Sequence, residues 1–261
     1  MTAASVRRWV RSHERLRRLA GRVVAAAERL RTGRMSVRER WSRAIPYESS
    51  FWEDWLETHA FGDEEQYRAR LDPEAPVTDG PLVRCLDAIP DAEIRVLDVG
   101  AGPLTTVGKT FRGRRLSVTA VDPLAADYDR LLERAGVVPP VRTVEAHGER
   151  LLERFEPGSF DVAFAANALD HCYDPALVVR NMLEVVEPGR FVVLLHHRNE
   201  AEAKGYLGLH QWNFDVQDGR FVIWNRDSRV DVTQELAGRA DVAAELDGDD
   251  VVVRITRSGT P

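Results

Sequence analysis

Two short acid-and-glycine stretches and a group of histidines have the residue types and spacing to do chemistry. An apolar run around Asp98 (Val96, Leu97, Val99) ends in Gly100, Ala101 and Gly102, followed by Pro103. Glycines at such a point allow backbone angles that a side chain forbids, and let a ligand lie against the main chain. A second apolar run, Leu116 to Val121, ends in Asp122, 24 residues after Asp98. An acid at the end of a second strand is the usual partner of ribose hydroxyls in nucleotide-type folds. A tight turn would explain the glycines alone. The second acid at the right distance makes Asp98, Gly100, Ala101, Gly102, Asp122 and Pro123 a candidate ligand crevice. Four of the seven histidines (His171, His196, His197 and His210) lie further along, in segments expected to face the same edge.

The elements that must position these residues can be read from hydrophobic pattern. Continuous apolar runs at 94–99, 116–121, 160–165 and 191–196 suit parallel strands covered on both faces. A shorter strand is expected over 142–146. Helices are expected over 80–89, 123–135 (closed by Gly136) and 175–186, the last opened by Asp174 and Pro175 as N-cap and first residue. Pro103 likewise suits the first turn of a helix following the glycines. Residues 240–246 and 251–256, separated by Asp247 and Gly248, read as a closing antiparallel hairpin, preceded by a helix over 231–238. The pattern is α/β.

In this order, the Asp98–Gly102 loop, Asp122, the segment Val144 to Glu149, the segment Ser159 to His171 and the turn Glu187 to Arg190 leading into His196 resemble a class I S-adenosylmethionine-dependent methyltransferase of the small, type 11-like kind. The resemblance covers roughly residues 79–257. It implies a Rossmann-like, seven-stranded, mostly parallel sheet with helices on both faces, and S-adenosyl-L-methionine as cofactor with S-adenosyl-L-homocysteine as product. In such proteins an acidic residue and a small one after the third strand hold the adenine. The matching positions here are His147 and Gly148, with Glu149 next, and histidine stacks or donates where a carboxylate accepts. Residues past the fourth strand, Asn167 and then Asp170 and His171, would touch the methionine part of the cofactor and one wall of the acceptor pocket. Local capping accounts equally well for Asp170, and a structural hydrogen bond for His171. Helices ahead of the first strand often cap such sites, which places Tyr47 and Trp52 over the crevice, although core packing also explains that stripe of aromatics.

A sulfonium methyl is already a strong electrophile, so the protein's task is to align the nucleophile and exclude water. A hydroxyl acceptor also needs a general base, most economically an imidazole. The candidates are His196 and His210, ahead of His171. Trp52 and Trp212 could stack on an acceptor ring, with Tyr47, Asp170, His197 and Asn213 as further acceptor contacts. A divalent site drawn from His171, His196, His197, Glu200 and His210 is the alternative. Their spacing matches no compact ligand motif, and no metal is expected.

Composition bounds the rest. The 261 residues suffice for one core plus an appendage, and the net charge is −6. Residues 1–43 hold thirteen arginines against three glutamates, which sets an arm near +10 against a remainder near −16. The arm reads as a basic amphipathic helix or helix pair. Packing on the acidic body or on a second copy, giving a homodimer, is its first reading, and membrane-surface contact its second. Nucleic acid is disfavoured by the acidic body and sparse aromatics. The expected domains are this arm (1–43), a helical cap and linker (44–78) and the cofactor-binding domain (79–261), with residues 197–230 inserted over the site as a hairpin. Two cysteines without ligand spacing, no secretory signal and no long apolar run suggest a cytoplasmic protein. The function expected is methylation of a small-molecule or glycan hydroxyl, in secondary metabolism or on a polysaccharide building block. The rivals are an RNA methyltransferase using the arm and a cofactor-binding scaffold without catalysis.

Overall fold

A computed structural model of the protein describes residues 35–259. The basic arm lies outside these residues as far as residue 34.

Helix α1 (Val37–Glu57) opens on a capping box, with Ser36 accepting from the Glu39 amide while the Glu39 side chain accepts from the Ser36 amide. It runs unbroken across residue 43, so the expected boundary between arm and cap falls inside one helix. Helices α2 (Glu64–Leu71) and α3 (Gly80–Asp87) follow, each with an aspartate N-cap, Asp63 and Asp79. Next come β1 (Ile94–Val99), β2 (Thr110–Phe111), β3 (Arg114–Asp122), α4 (Ala125–Ala135), β4 (Val144–Glu145), β5 (Phe160–Ala166), α5 (Pro175–Val185) and β6 (Val186–His197). Short turns of 3₁₀ helix at Gly148–Glu153 and Leu169–His171 flank β5. The chain ends with α6 (Glu200–Ala203), β7 (Asn213–Gln217), β8 (Arg220–Trp224), β9 (Arg229–Asp231), α7 (Val232–Glu235), β10 (Ala240–Asp247) and β11 (Asp250–Arg257).

The main sheet runs β10-β11-β6-β5-β1-β3, with β4 parallel to the carboxyl end of β3 and β2 antiparallel to its start. β1, β3, β4, β5 and β6 are parallel, and the closing β10–β11 hairpin inserts β11 antiparallel to β6. The expected seven strands are therefore present, and the two-residue β2 makes an eighth. One apolar layer under α5 holds Leu97, Val121, Val179, Met182 and Leu194. The opposite layer, under α3, holds Leu86, Ile94, Val96, Phe111 and Val162. A third cluster, with Trp55, Leu56, Tyr67, Tyr128 and Leu131, seats α1 and α2 on α4.

Two expectations fail here. No helix follows Pro103: residues 101–109 run as an irregular loop into β2. Side chains capture the backbone first, because Thr105 Oγ1 donates to Asp98 (2.5 Å) while accepting from the Val107 amide (3.0 Å). The loop then pairs with the linker, the Lys109 amide donating to Ala75 O at 2.7 Å. A Cβ on Gly108 would lie 2.4 Å from the Pro76 carbonyl carbon, so this close pairing needs glycine. The insertion also differs from a lone hairpin. β7, β8 and β9 form a separate three-stranded sheet whose Phe214, Phe221 and Ile223 join the main core.

Candidate active site

The carboxyl ends of β1, β3 and β5, the loop after β4 and the segment after β6 open onto one cavity of about 780 Å³. Helix α1 closes it from above with Trp41, Ala44, Tyr47, Glu48 and Trp52, and residues 206–211 of the insertion close one side.

Asp98 ends β1 one residue before its last, Val99, and is buried. Burial raises its carboxyl to about 6, against the lowering effects of the Thr105 hydrogen bond and the nearby Arg70 and Lys109 charges. Asp122 ends β3. Its Oδ1 accepts from the Leu124 amide at 2.9 Å and its Oδ2 from the Gly102 amide at 3.2 Å. Burial carries it further, to about 7, with Glu48 adding in the same direction. Both acids therefore face the cavity desolvated and short of donors. Gly100 and Gly102 adopt left-handed backbone, φ 77° and 63°. A Cβ on Gly100 would lie 2.4 Å from the Ala168 Cβ, and one on Gly102 2.5 Å from the Trp52 ring. The glycines are required by the protein's own walls as well as by backbone angle.

Past β4, His147, Gly148 and Glu149 line the cavity. His147 is half-buried, which lowers its imidazole, and its ring tilts against Trp41 at 5.5 Å. Glu149 Oε1 is committed to the Tyr173 and Asp174 amides at 2.9 and 3.2 Å, so this acid also fixes the loop after β5. Gly148 packs under α5, where a Cβ would lie 2.8 Å from Val178. Past β5, Asn167 takes a left-handed φ of 48° and accepts from the His197 amide at 3.0 Å, joining the ends of β5 and β6.

The histidines separate into distinct environments. His196 is buried and stacks on Phe214 with ring centroids 4.5 Å apart. Neither of its ring nitrogens has a hydrogen-bond partner among the described residues. Burial lowers it to about 4, so the imidazole is uncharged near neutrality. His197 is exposed and turned to Asp250, 2.6 Å away. His171 and His210 converge on Asp170: His210 Nδ1 lies 2.7 Å from Asp170 Oδ2, and His171 Nε2 lies 3.1 Å from His210 Nδ1. For Asp170, burial would raise the carboxyl, but the charges of His171 and His210 and a hydrogen bond from His210 outweigh it and hold it at about 2.

Asp98, Gly100, Ala101, Gly102, Asp122, Pro123, His147, Gly148, Glu149, Asn167, Asp170, His171, His196, His197, His210, Tyr47 and Trp52 all border this one cavity. Trp212 and Asn213 do not. Trp212 is in the core, donating from Nε1 to Cys172 O at 2.9 Å. Asn213 is fully buried, accepting from the Glu202 amide and donating to the Tyr206 hydroxyl. Both secure the insertion, so their expected role as acceptor contacts gives way to a structural one. Sequence reading missed Glu48 and Arg70. Glu48 accepts from Trp52 Nε1 at 2.8 Å. Arg70 is packed over the Trp55 ring, 4.9 Å from its centroid, with a buried Nε that has no partner among the described residues. Its position near Asp98 depends on the α1–α2 packing and leaves no local signal.

The strand order, the two acids on adjacent strand ends and the glycine loop agree with a match of residues 97–194 to the family model described as Methyltransferase domain. Over these residues the chain is similar to a methyltransferase domain. A protein named Ubiquinone biosynthesis O-methyltransferase, from Pseudomonas paraeruginosa, is 32% identical over 157 residues, covering 52% of this chain and 64% of that protein. One of the same name from Ralstonia nicotianae is 39% identical over 125 residues, 45% of this chain and 48% of that protein. The chain thus spans less than two thirds of the length of these curated relatives. Among solved structures, a putative S-adenosyl-L-methionine-dependent methyltransferase from Methanococcus maripaludis aligns over 82% of this chain and 93% of its own, at 10% identity and a TM-score of 0.49. The methyltransferase-domain match takes in Asp98, Asp122, Glu149, Asn167, Asp170 and His171, whereas α1, His196 and the insertion lie outside it.

Proposed function

We propose that the chain is an S-adenosyl-L-methionine-dependent methyltransferase acting on a hydroxyl of a small molecule or glycan. The observation that carries this reading is the convergence on one cavity of Asp98, Asp122 and a buried His196 without a partner among the described residues. The two carboxylates, each buried with lone pairs to spare, fit the ammonium and ribose hydroxyls of the cofactor. Arg70, whose charge acts on Asp98 and whose buried Nε has no partner among the described residues, fits a carboxylate. When bound, S-adenosyl-L-methionine supplies a methyl group on a sulfonium, activated without help from the protein.

The chain's own residues then bind, orient and dry the site. α1 shuts the cavity with Trp52 against the glycine loop, and His196 offers the only uncharged imidazole in it that is both buried and free of partners among the described residues. We assign His196 as the base that receives the acceptor's hydroxyl proton. The relatives' names, each an O-methyltransferase, support oxygen as the acceptor atom.

The test is calorimetry with S-adenosyl-L-homocysteine, then transfer of a labelled methyl group to a panel of phenols, sugars and nucleic acids. Saturable product binding lost in Asp122→Ala, with label on a hydroxyl, supports the reading. No binding to the wild-type chain refutes it, and label on RNA alone replaces it with the nucleic-acid reading.

A further inference from the structure

Asp170, His171 and His210 place three ligand atoms within reach of one point. Asp170 Oδ2 and His210 Nδ1 are 2.7 Å apart, His210 Nδ1 and His171 Nε2 3.1 Å, and His171 Nε2 and Asp170 Oδ2 3.5 Å. Hydrogen bonds serve this triangle poorly. Each ring nitrogen carries at most one proton, in the plane of its ring. If both are protonated, two N–H groups crowd onto one oxygen and face each other. If either is bare, its lone pair is set against another acceptor. A cation at the centre accepts a lone pair from all three atoms at once. The edges also bracket the separation of neighbouring ligands bound at about 2.1 Å, which is roughly 3.0–3.4 Å for octahedral to tetrahedral angles.

We propose that these three side chains form a divalent transition-metal site in the wall of the cavity. The inference rests on the methyltransferase reading for its purpose, since the metal would hold the acceptor's oxygen. Three surroundings support it. All three ligands border the cavity, so the remaining coordination positions of a two-histidine, one-carboxylate face open toward it. Glu48 stands 3.7 Å from His171 Nδ1, on the ring edge away from the triangle, where a carboxylate orients a metal-bound imidazole. The Gln211 amide donates to Asp170 O at 3.0 Å, which ties the insertion carrying His210 to the segment carrying the other two ligands. The two-nitrogen, one-oxygen set suits zinc, cobalt, iron or manganese better than magnesium. Asp170 is the ligand that spacing alone did not suggest.

The experiment uses the full, untagged chain, stripped with chelator and titrated with cobalt(II) chloride. Visible absorption and calorimetry follow the titration. The expected result is one Co²⁺ per chain with intense bands of low-symmetry cobalt, unchanged in His59→Ala, a remote histidine. Asp170→Asn and His210→Gln should each weaken binding by more than the roughly 10–100-fold that losing an outer partner costs. Far-UV circular dichroism and S-adenosyl-L-homocysteine calorimetry on the same samples show whether the variants keep the fold and the cofactor crevice. Absent bands in the wild type overturn the site, as do variants that fold and bind cobalt as well as the wild type. If cobalt fails while S-adenosyl-L-homocysteine still binds, the metal falls and the methyltransferase reading stands. If cobalt binds and S-adenosyl-L-homocysteine does not, the site stands and that reading falls.

Discussion

Trp52 fills the space that a side chain on Gly102 would need, with its Cζ2 2.5 Å from where that Cβ would be. The cap helix and the glycine loop are therefore fitted to each other. Gly102→Ala should cost about 1–2 kcal/mol for its left-handed backbone, plus the displacement of an indole. At about 2–4 °C per kcal/mol for a chain this long, melting should fall by several degrees. The double variant with Trp52→Ala should recover the steric part and leave the backbone part. Thermal unfolding of the four proteins checks this, and additive losses would deny the contact.

The two buried acids make a pH prediction with a definite sign. Asp98 and Asp122 are raised to about 6 and 7 by burial, so the folded, ligand-free chain holds protons that the unfolded chain releases near pH 4. Their contribution to stability should therefore decline as pH rises from about 4 to about 7, by an amount on the order of a few kcal/mol. Asp122→Asn should flatten the upper part of that decline. Urea midpoints measured from pH 5 to pH 8 test it. Ligand donors favour the ionised carboxylates, so cofactor binding near pH 6.5 should release protons, seen as a dependence of calorimetric heat on buffer.

Thr105 provides the only hydrogen bond to Asp98 from a side chain among the described residues. Thr105→Val keeps the shape, removes that donor and frees the loop backbone at Val107. The expected loss is roughly 1–3 kcal/mol for leaving a buried acceptor unsatisfied. S-adenosyl-L-homocysteine affinity should fall with it. Denaturant unfolding and calorimetry read the two effects, and an unchanged pair of values would count against the loop account.

His196 separates stability from chemistry. His196→Phe removes two buried nitrogens that have no partner among the described residues and keeps an aromatic ring against Phe214, so the fold should be as stable as before or more so. Methyl transfer should drop by about 10²–10⁴-fold, the usual worth of a general base. Paired melting curves and turnover numbers decide it. Full activity would move the base to another group.

Trp212→Phe tests the reassigned tryptophan. Losing its bond to Cys172 O should cost about 1 kcal/mol of stability and leave the acceptor KM unchanged. A raised KM with normal melting would restore Trp212 to the acceptor pocket.

Much of the candidate crevice is legible because it is local. Asp98 with its glycines, and Asp122 at the end of the next strand, are set by strand ends whose apolar runs give them away. The α/β class follows from the same runs, and the seven-stranded sheet from the family resemblance. What failed is what side chains settle in competition with the backbone: Thr105 holds a loop where Pro103 suggested a helix. The cap is read from a helical stripe of aromatics and the insertion from a turn and its residue types, and neither signal tells a tryptophan facing a ligand from one facing a core. Glu48, Arg70 and the Asp170–His171–His210 triangle unite residues up to 162 positions apart, and no spacing rule reaches that far.

The helix missing after the glycines also narrows what the crevice can hold. A dinucleotide brings a pyrophosphate that, in related sheets, rests on the positive end of a helix at this place. At the glycine loop such an anion would meet two acids and no helix opening behind the glycines. A sulfonium nucleoside, cationic at sulfur and amine and free of phosphate, meets no such obstacle.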